Sequence, residues 1–85
     1  MAKEFKYKIH KEIITLSVSS RYENHLRVVS WNGFNEPKYD IRRWRIDEEG
    51  KLNPAKGISL KPEEMQKLKD ELNKIDDFNE YLGGF

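Results

Sequence analysis

Apolar and polar positions alternate strictly at the start of the chain, with Phe5, Tyr7 and Ile9 set against Lys6, Lys8 and His10. After Lys11-Glu12 the alternation gives way to a β-branched run, IITLSVS, so residues 5–18 predict one long strand or two halves joined by a bulge. The polar stretch SSRYEN predicts a loop. HLRVVSW alternates again, placing Leu26, Val28 and Ser30 on one face and Arg27, Val29 and Trp31 on the other. Turn chemistry follows in Asn32-Gly33 and Asn35-Glu36-Pro37, because Asn and Gly tolerate positive φ and Pro fixes the re-entry into the next strand. That strand, PKYDIRRWRID, puts Lys38, Asp40, Arg42, Trp44 and Ile46 on one face and Tyr39, Ile41, Arg43, Arg45 and Asp47 on the other. Its largest apolar side chain, Trp44, therefore shares a face with charge.

DEEG predicts a turn, KLNPAKG a loop and GISL a short fourth strand. Pro62 stands at the first position of a helix whose first turn carries Glu63 and Glu64, where carboxylates oppose the positive end of the macrodipole. The apolar stripe Met65, Leu68, Leu72, Ile75 has a 3.6-residue period and continues to Phe78 or Asn79 and Leu82. Lys61 at the N-cap brings no short acceptor. Gly83-Gly84 ends the pattern and leaves Phe85 as an apolar terminus. The fold class is α+β, a four-stranded antiparallel sheet followed by one amphipathic helix (ββββα). The domain spans residues 1–78, and residues 79–85 form a short acidic and apolar tail. One helix covers one face of such a sheet, so the other meets water, another chain or a ligand.

Size sharpens that point. A chain of 85 residues buries only roughly 60% of the surface it exposes unfolded, and an open sheet then needs further support. Without cysteine, disulfides and thiolate metal sites are excluded, and with two histidines and no HxxxH spacing a zinc site is not expected. No cofactor is indicated. Oligomerisation remains. No apolar run reaches the roughly 18–20 residues of a membrane span, and MAKEFKYK lacks a secretory signal's apolar core, so a soluble intracellular protein is expected. The net charge of +1 hides a division into +4 over residues 1–60 and −3 over residues 61–85. All five arginines lie in the first portion, an asymmetry that marks a polyanion-binding surface.

Candidate catalytic groups are few. Asp76-Asp77 and Glu63-Glu64 are adjacent pairs whose side chains diverge, neither histidine has a context suggesting a nucleophile partner, and WNGFNEP and PAKG match no phosphate-cradling loop. No active site is expected. Strand parity instead assembles Lys6, Lys8 and His10 with Arg27, Trp31, Lys38, Arg42 and Trp44 on one face. Such a face suits single-stranded nucleic acid, where cations track phosphates and flat rings stack on unpaired bases. The plainer alternative makes Trp31 and Trp44 ordinary core aromatics and the arginines ordinary surface charges.

VSWNGFNEPKYDIRRW, followed by KGISLKPEE and an amphipathic helix, resembles the positive cofactor four (transcriptional coactivator p15) family of single-stranded DNA-binding proteins, over roughly residues 5–76. KYDIR and KGISL are the most specific pieces, and WNG with EPKYDIR points to its bacterial YdbC-type members. The longer DEEGKLNPAKG loop is more like the coactivator form. The resemblance implies a curved sheet, dimerisation through the helices and the sheet edge, binding of single-stranded or melted DNA with little sequence preference, and no catalysis. By motif, Trp31 takes the place of the aromatic ending the second strand, Arg42 that of the arginine in DIR, and Lys56 that of the basic residue ahead of GISL. Either Trp44 or Arg45 takes the base-stacking position, depending on where a bulge falls, and parity favours Trp44.

The expected function is therefore non-sequence-specific single-stranded DNA binding by a homodimer, serving transcription, replication or repair, in the bacterial cytoplasm at the nucleoid or in a eukaryotic nucleus. Phosphates fall to Lys6, Lys8, Arg27, Lys38, Arg42 and Lys56, bases to Trp31 and Trp44 with Arg45 as the alternative, and the dimer contact to Met65, Leu68, Leu72 and Ile75. The competing reading is a protein-interaction module acting through the acidic helix and the tail DDFNEYLGGF, whose Phe-ended acidic character suggests a protein partner.

Overall fold

The computed structural model describes residues 6–32 and 36–82. The predicted positions of Phe5, the turn residues Gly33 and Asn35, Gly83-Gly84 and Phe85 lie outside them. Four antiparallel strands, β1 (Tyr7–Val18), β2 (Tyr22–Trp31), β3 (Lys38–Ile46) and β4 (Leu52–Leu60), form one open sheet in sequence order, and the helix α1 (Pro62–Leu72) follows. Among the described residues no helix is long and apolar enough to cross a membrane.

β1 is one strand interrupted three times. Its register against β2 shifts after Ile9, Glu12 and Thr15, each time with one extra residue on β1, namely His10, Ile13 and Leu16. Each bulge bends its strand and raises the local twist. The resulting curvature is large. Trp31 lies two residues beyond the Val29–Lys38 pair on β2 and Trp44 six residues from Lys38 on β3, about 26 Å apart on a flat sheet at 3.3 Å per residue. Their ring centroids are 6.4 Å apart. The sheet therefore curls toward the face that carries the tryptophans, and that face is concave.

β2 begins at Tyr22, so the predicted loop SSRYEN shrinks to Ser19–Arg21, closed by the Ser19 N–H donating to the Tyr22 carbonyl and the Ser19 hydroxyl accepting from the Tyr22 N–H. β4 is likewise longer than GISL and includes Pro54. A proline fits there because β4 is an edge strand, where a missing N–H breaks no second ladder. The β3–β4 turn is set by Asp47, whose Oδ1 accepts from the Glu49 and Lys51 N–H groups and whose Oδ2 accepts from Asn53 Nδ2. These bonds, the one from Asn53 first, hold its carboxyl below the usual carboxylate range. Gly50, at φ 80, takes the left-handed position of that turn.

α1 starts where Pro62 predicts. In place of a side-chain cap from Lys61, Glu64 Oε1 reaches back to accept the Lys61 N–H at 2.9 Å. The helix stops at Leu72, ten residues short of the stripe's last member. Beyond it the Lys74 and Ile75 N–H groups bond three residues back, and Asp77 Oδ1 accepts the Asn79 N–H. Asn and Asp offer the backbone such local partners, which compete with a helix. Ile75 is half-buried outside the helix, and Phe78 and Leu82 are exposed instead of extending its packing. α1 lies on the convex face, where Tyr39, Ile41 and Leu26 meet Met65, Leu68 and Leu72 across a groove.

Close approach makes Gly57 obligatory. A Cβ there would stand 2.6 Å from Arg42 Cβ and Cγ and from the Ile41 carbonyl oxygen, and the backbone oxygen cannot yield without moving the strand pair. Gly57→Ala should lower stability by about 1–3 kcal/mol, measured by urea unfolding; an unchanged midpoint would show that β4 can shift freely.

Candidate nucleic-acid interface

The concave face is organised by one carboxylate. Asp40, on β3, is 1% exposed and accepts two parallel bonds from Arg42, Nε to Oδ1 and Nη2 to Oδ2, both at 3.0 Å. Alternation puts the two residues on the same face, two positions apart, so the pairing is local. The Ser59 hydroxyl donates to Asp40 Oδ2 at 2.8 Å, and Arg42 Nη1 donates to the Ala55 carbonyl at 2.8 Å. So fixed, the Arg42 guanidinium lies 4.6 Å from the Trp31 ring centroid, a cation–π arrangement.

A second clasp mirrors it. Arg27 Nε donates to Glu12 Oε1 at 2.7 Å while its guanidinium lies 4.7 Å from the Trp44 ring centroid. Trp31 and Trp44 are inclined by 16°, and Tyr7 packs against both at 5.5 and 5.2 Å. His25, buried beside Arg27, has Glu12 at Nδ1 (2.9 Å) and Glu23 at Nε2 (2.8 Å). Aromatic rings and paired charges thus fill the hollow of the sheet together.

The register settles which way IRRWR faces. β3 pairs without interruption with β2 from Arg45–Tyr22 to Lys38–Val29, and the irregularity beside Arg43 is an extra residue in β4. Trp44 therefore stays with Arg42, Lys38, Arg27 and Trp31 on the concave face, while Arg43 and Arg45 emerge on the convex one. Trp44 is nonetheless 1% exposed. It forms the floor of the cluster, and Trp31, only half-buried, carries the accessible ring.

One expected phosphate contact, Lys8, changes sides, and so does His10 beside it. Tyr7, not a lysine, pairs with Trp31, and Lys8 pairs with Ser30, so Lys8 points to the convex face. His10 follows it, with Nε2 2.9 Å from Ser30 Oγ. Strand parity alone sets them beside Trp31, because no residue pattern shows where β1 and β2 align. Lys6 precedes the strand and is exposed, as are Lys38 and Lys56. Sequence reasoning also passed over Tyr7, Glu12 and His25. Tyr7 had a signal in its alternation, whereas Glu12 reaches Arg27 only through the bulged register.

Beside the Trp31 ring the sheet leaves a hollow of about 250 Å³, lined by Trp31, Asn32, Arg42, Pro54, Ala55 and Ser59. A flat ring, an arginine and small neighbours at an open mouth can receive a planar, hydrogen-bonding group. The site's rigidity depends on Asp40. Asp40→Asn leaves Arg42 without its counter-charge in a largely buried position and should cost about 3–5 kcal/mol, checked by chemical unfolding; a loss below about 1 kcal/mol would mean that the pair contributes little.

Residues 19–71 match the sequence model of the family described as Transcriptional Coactivator p15 (PC4). The match takes in β2, β3, β4 and nearly all of α1, and with them Arg27, Trp31, Asp40, Arg42, Trp44 and the hollow's lining. That family is known for single-stranded DNA binding and coactivator roles and carries no catalytic activity. A curled four-stranded sheet followed by one helix, with an arginine-clasped aromatic face inside the matched segment, places this chain in the p15 (PC4) transcriptional coactivator family.

Proposed function

We propose that this protein binds single-stranded DNA, with little sequence preference, as a homodimer. The observation that carries the reading is the hollow between the accessible ring of Trp31 and the anchored guanidinium of Arg42, in a chain whose family binds single-stranded DNA. An unpaired base would stack on Trp31, with Trp44 and Tyr7 backing the ring, and stacking contributes about 1–3 kcal/mol per base. Duplex bases are already stacked and cannot enter such a hollow. Arg42 serves here as a fixed donor more than as a free charge, because Asp40 neutralises it. Lys38, exposed and on the same face of β3 as Arg42 and Trp44, supplies a phosphate contact there.

The dimer is supported by what the chain leaves uncovered. Val29 and Trp44 are its only buried apolar residues among those described, while Ile14, Leu16, Ile58, Leu68 and Leu72 are exposed. A groove of about 610 Å³ lies open between α1 and the convex face, lined by Leu26, Tyr39, Ile41, Met65, Leu68 and Leu72. A symmetric second copy would cover these surfaces with its own helix. The expected contacts Met65, Leu68 and Leu72 all border that groove, with Ile75 just beyond the helix end.

Titration with oligothymidylate should quench tryptophan emission, Trp31→Ala should lose at least tenfold in affinity, and log affinity should fall with log salt at about −0.7 per phosphate neutralised. Equal affinity for duplex and single strands, or affinity indifferent to salt, would overturn the reading.

A further inference from the structure

His25 stands in β2 with 3% of its surface exposed, and both of its ring nitrogens meet a carboxylate. Nδ1 lies 2.9 Å from Glu12 Oε1, and Nε2 lies 2.8 Å from Glu23 Oε1. A neutral imidazole has one N–H and one lone pair, so it can donate to only one of them. The other carboxylate oxygen would then face a lone pair at hydrogen-bond distance. Both contacts are donor bonds only when the ring carries two protons. Charge balance leads to the same state. Glu12 and Glu23 bring two negative charges, and Arg27, bonded to Glu12 Oε1 at 2.7 Å, brings one positive charge. An imidazolium supplies the second and leaves the cluster neutral, which its burial favours. From β3 the charged neighbour is Arg42, the register partner of His25, and Asp40 already matches it.

Each nitrogen also has a substitute donor beside it. Thr15 Oγ1 is 3.2 Å from Nδ1, and Arg27 Nη2 is 3.5 Å from Nε2. A ring that has given up one proton can therefore accept a bond from the protein, provided that one carboxylate leaves. Glu23 is the one that leaves. Among the described residues His25 is its only side-chain partner, whereas Glu12 keeps Arg27. Nε2, once unprotonated, draws Arg27 Nη2 toward it, and that guanidinium is the group lying 4.7 Å from the Trp44 ring centroid.

We propose that His25 is a proton-operated brace of the concave face. Doubly protonated, it ties Glu12 on β1 to Glu23 on β2 and leaves Arg27 over Trp44; singly protonated, it releases Glu23 and turns Arg27 away from the ring. Histidine changes charge between about pH 5 and about pH 8, so rising pH loosens the clasp on Trp44 that backs the Trp31 ring. The consequence, a weaker hold on a base at higher pH, rests on the single-stranded DNA reading. The brace itself is a property of the free chain.

The test follows the histidine ring nitrogens of the whole chain by NMR, without DNA, from about pH 5 to about pH 8. His25 should start with both nitrogens protonated, lose the Nε2 proton and keep the one on Nδ1, and the Trp44 indole signal should shift with the same midpoint. His25→Gln should abolish the Trp44 shift while His10, exposed and bonded to Ser30, still titrates. Glu23→Gln, whose amide can accept from or donate to Nε2, should uncouple the ring from Trp44. A His25 ring with one proton throughout, a Trp44 signal that ignores its titration, or a Trp44 shift that survives either substitution would overturn the inference. Over the same range wild-type affinity for oligothymidylate should fall about threefold or more, the order of one cation–π contact, and that of His25→Gln by less than about twofold. Wild-type binding that is indifferent to pH would overturn the consequence for DNA. A chain that binds no oligothymidylate at any pH would remove the single-stranded DNA reading, an outcome distinct from the ring-nitrogen result, which alone decides the brace.

Discussion

The pairing of Asp40 with Arg42 is the contact on which the concave face depends. A carboxylate this deeply buried must be fully satisfied, and here it receives two guanidinium bonds and a hydroxyl. Satisfying it fixes Arg42, which in turn holds the β4 backbone through the Ala55 carbonyl and lies over Trp31. Gly57 belongs to the same arrangement, since the Arg42 side chain occupies the space that any Cβ there would need. Ion pair, edge strand and aromatic ring are thereby positioned by one residue. Such an arrangement stabilises through its completeness more than through any single bond, because each missing partner would leave a buried group unpaired.

Curvature is the second constraint. The three bulges of β1 recur at every third residue and bring rings together that a flat sheet would hold far apart. They also turn Glu12 toward Arg27 and Thr15 toward His25. The hollow of the sheet is consequently lined by neutralised charge and by aromatic surface, a combination better suited to receiving a base than to attracting phosphates from a distance. Long-range attraction falls instead to exposed cations elsewhere, where neither a carboxylate nor burial reduces their field.

Much of this could be read directly from residue patterns. The alternation in KYDIRRW correctly set Arg42, Trp44 and Lys38 on one face, because β3 is a central strand paired regularly with β2 and a period of two survives intact. The start of α1 was equally plain from Pro62 and the acidic first turn. Its end was not, since the apolar stripe runs on through Ile75 and Leu82 while Asn73, Asp76 and Asp77 withdraw the backbone from the helix. β4 was underestimated because Pro54 reads as a strand breaker unless its edge position is known. The face of Lys8 was misassigned because the β1–β2 alignment depends on contacts between distant parts of the chain.

By itself the sequence determined the order of the elements, the basic character of the sheet against the acidic helix, and the company that Trp44 keeps along its strand. Those are properties of local spacing and composition. Only the tertiary structure decided that Trp44 is a covered floor, that Trp31 is the accessible ring, and that Arg27 and Arg42 are paired with carboxylates while Arg43 and Arg45 are exposed without an ion pair among the described residues. Burial and neutralisation depend on cross-strand register and on how tightly the sheet curls, and both are set by residues brought together from separate strands.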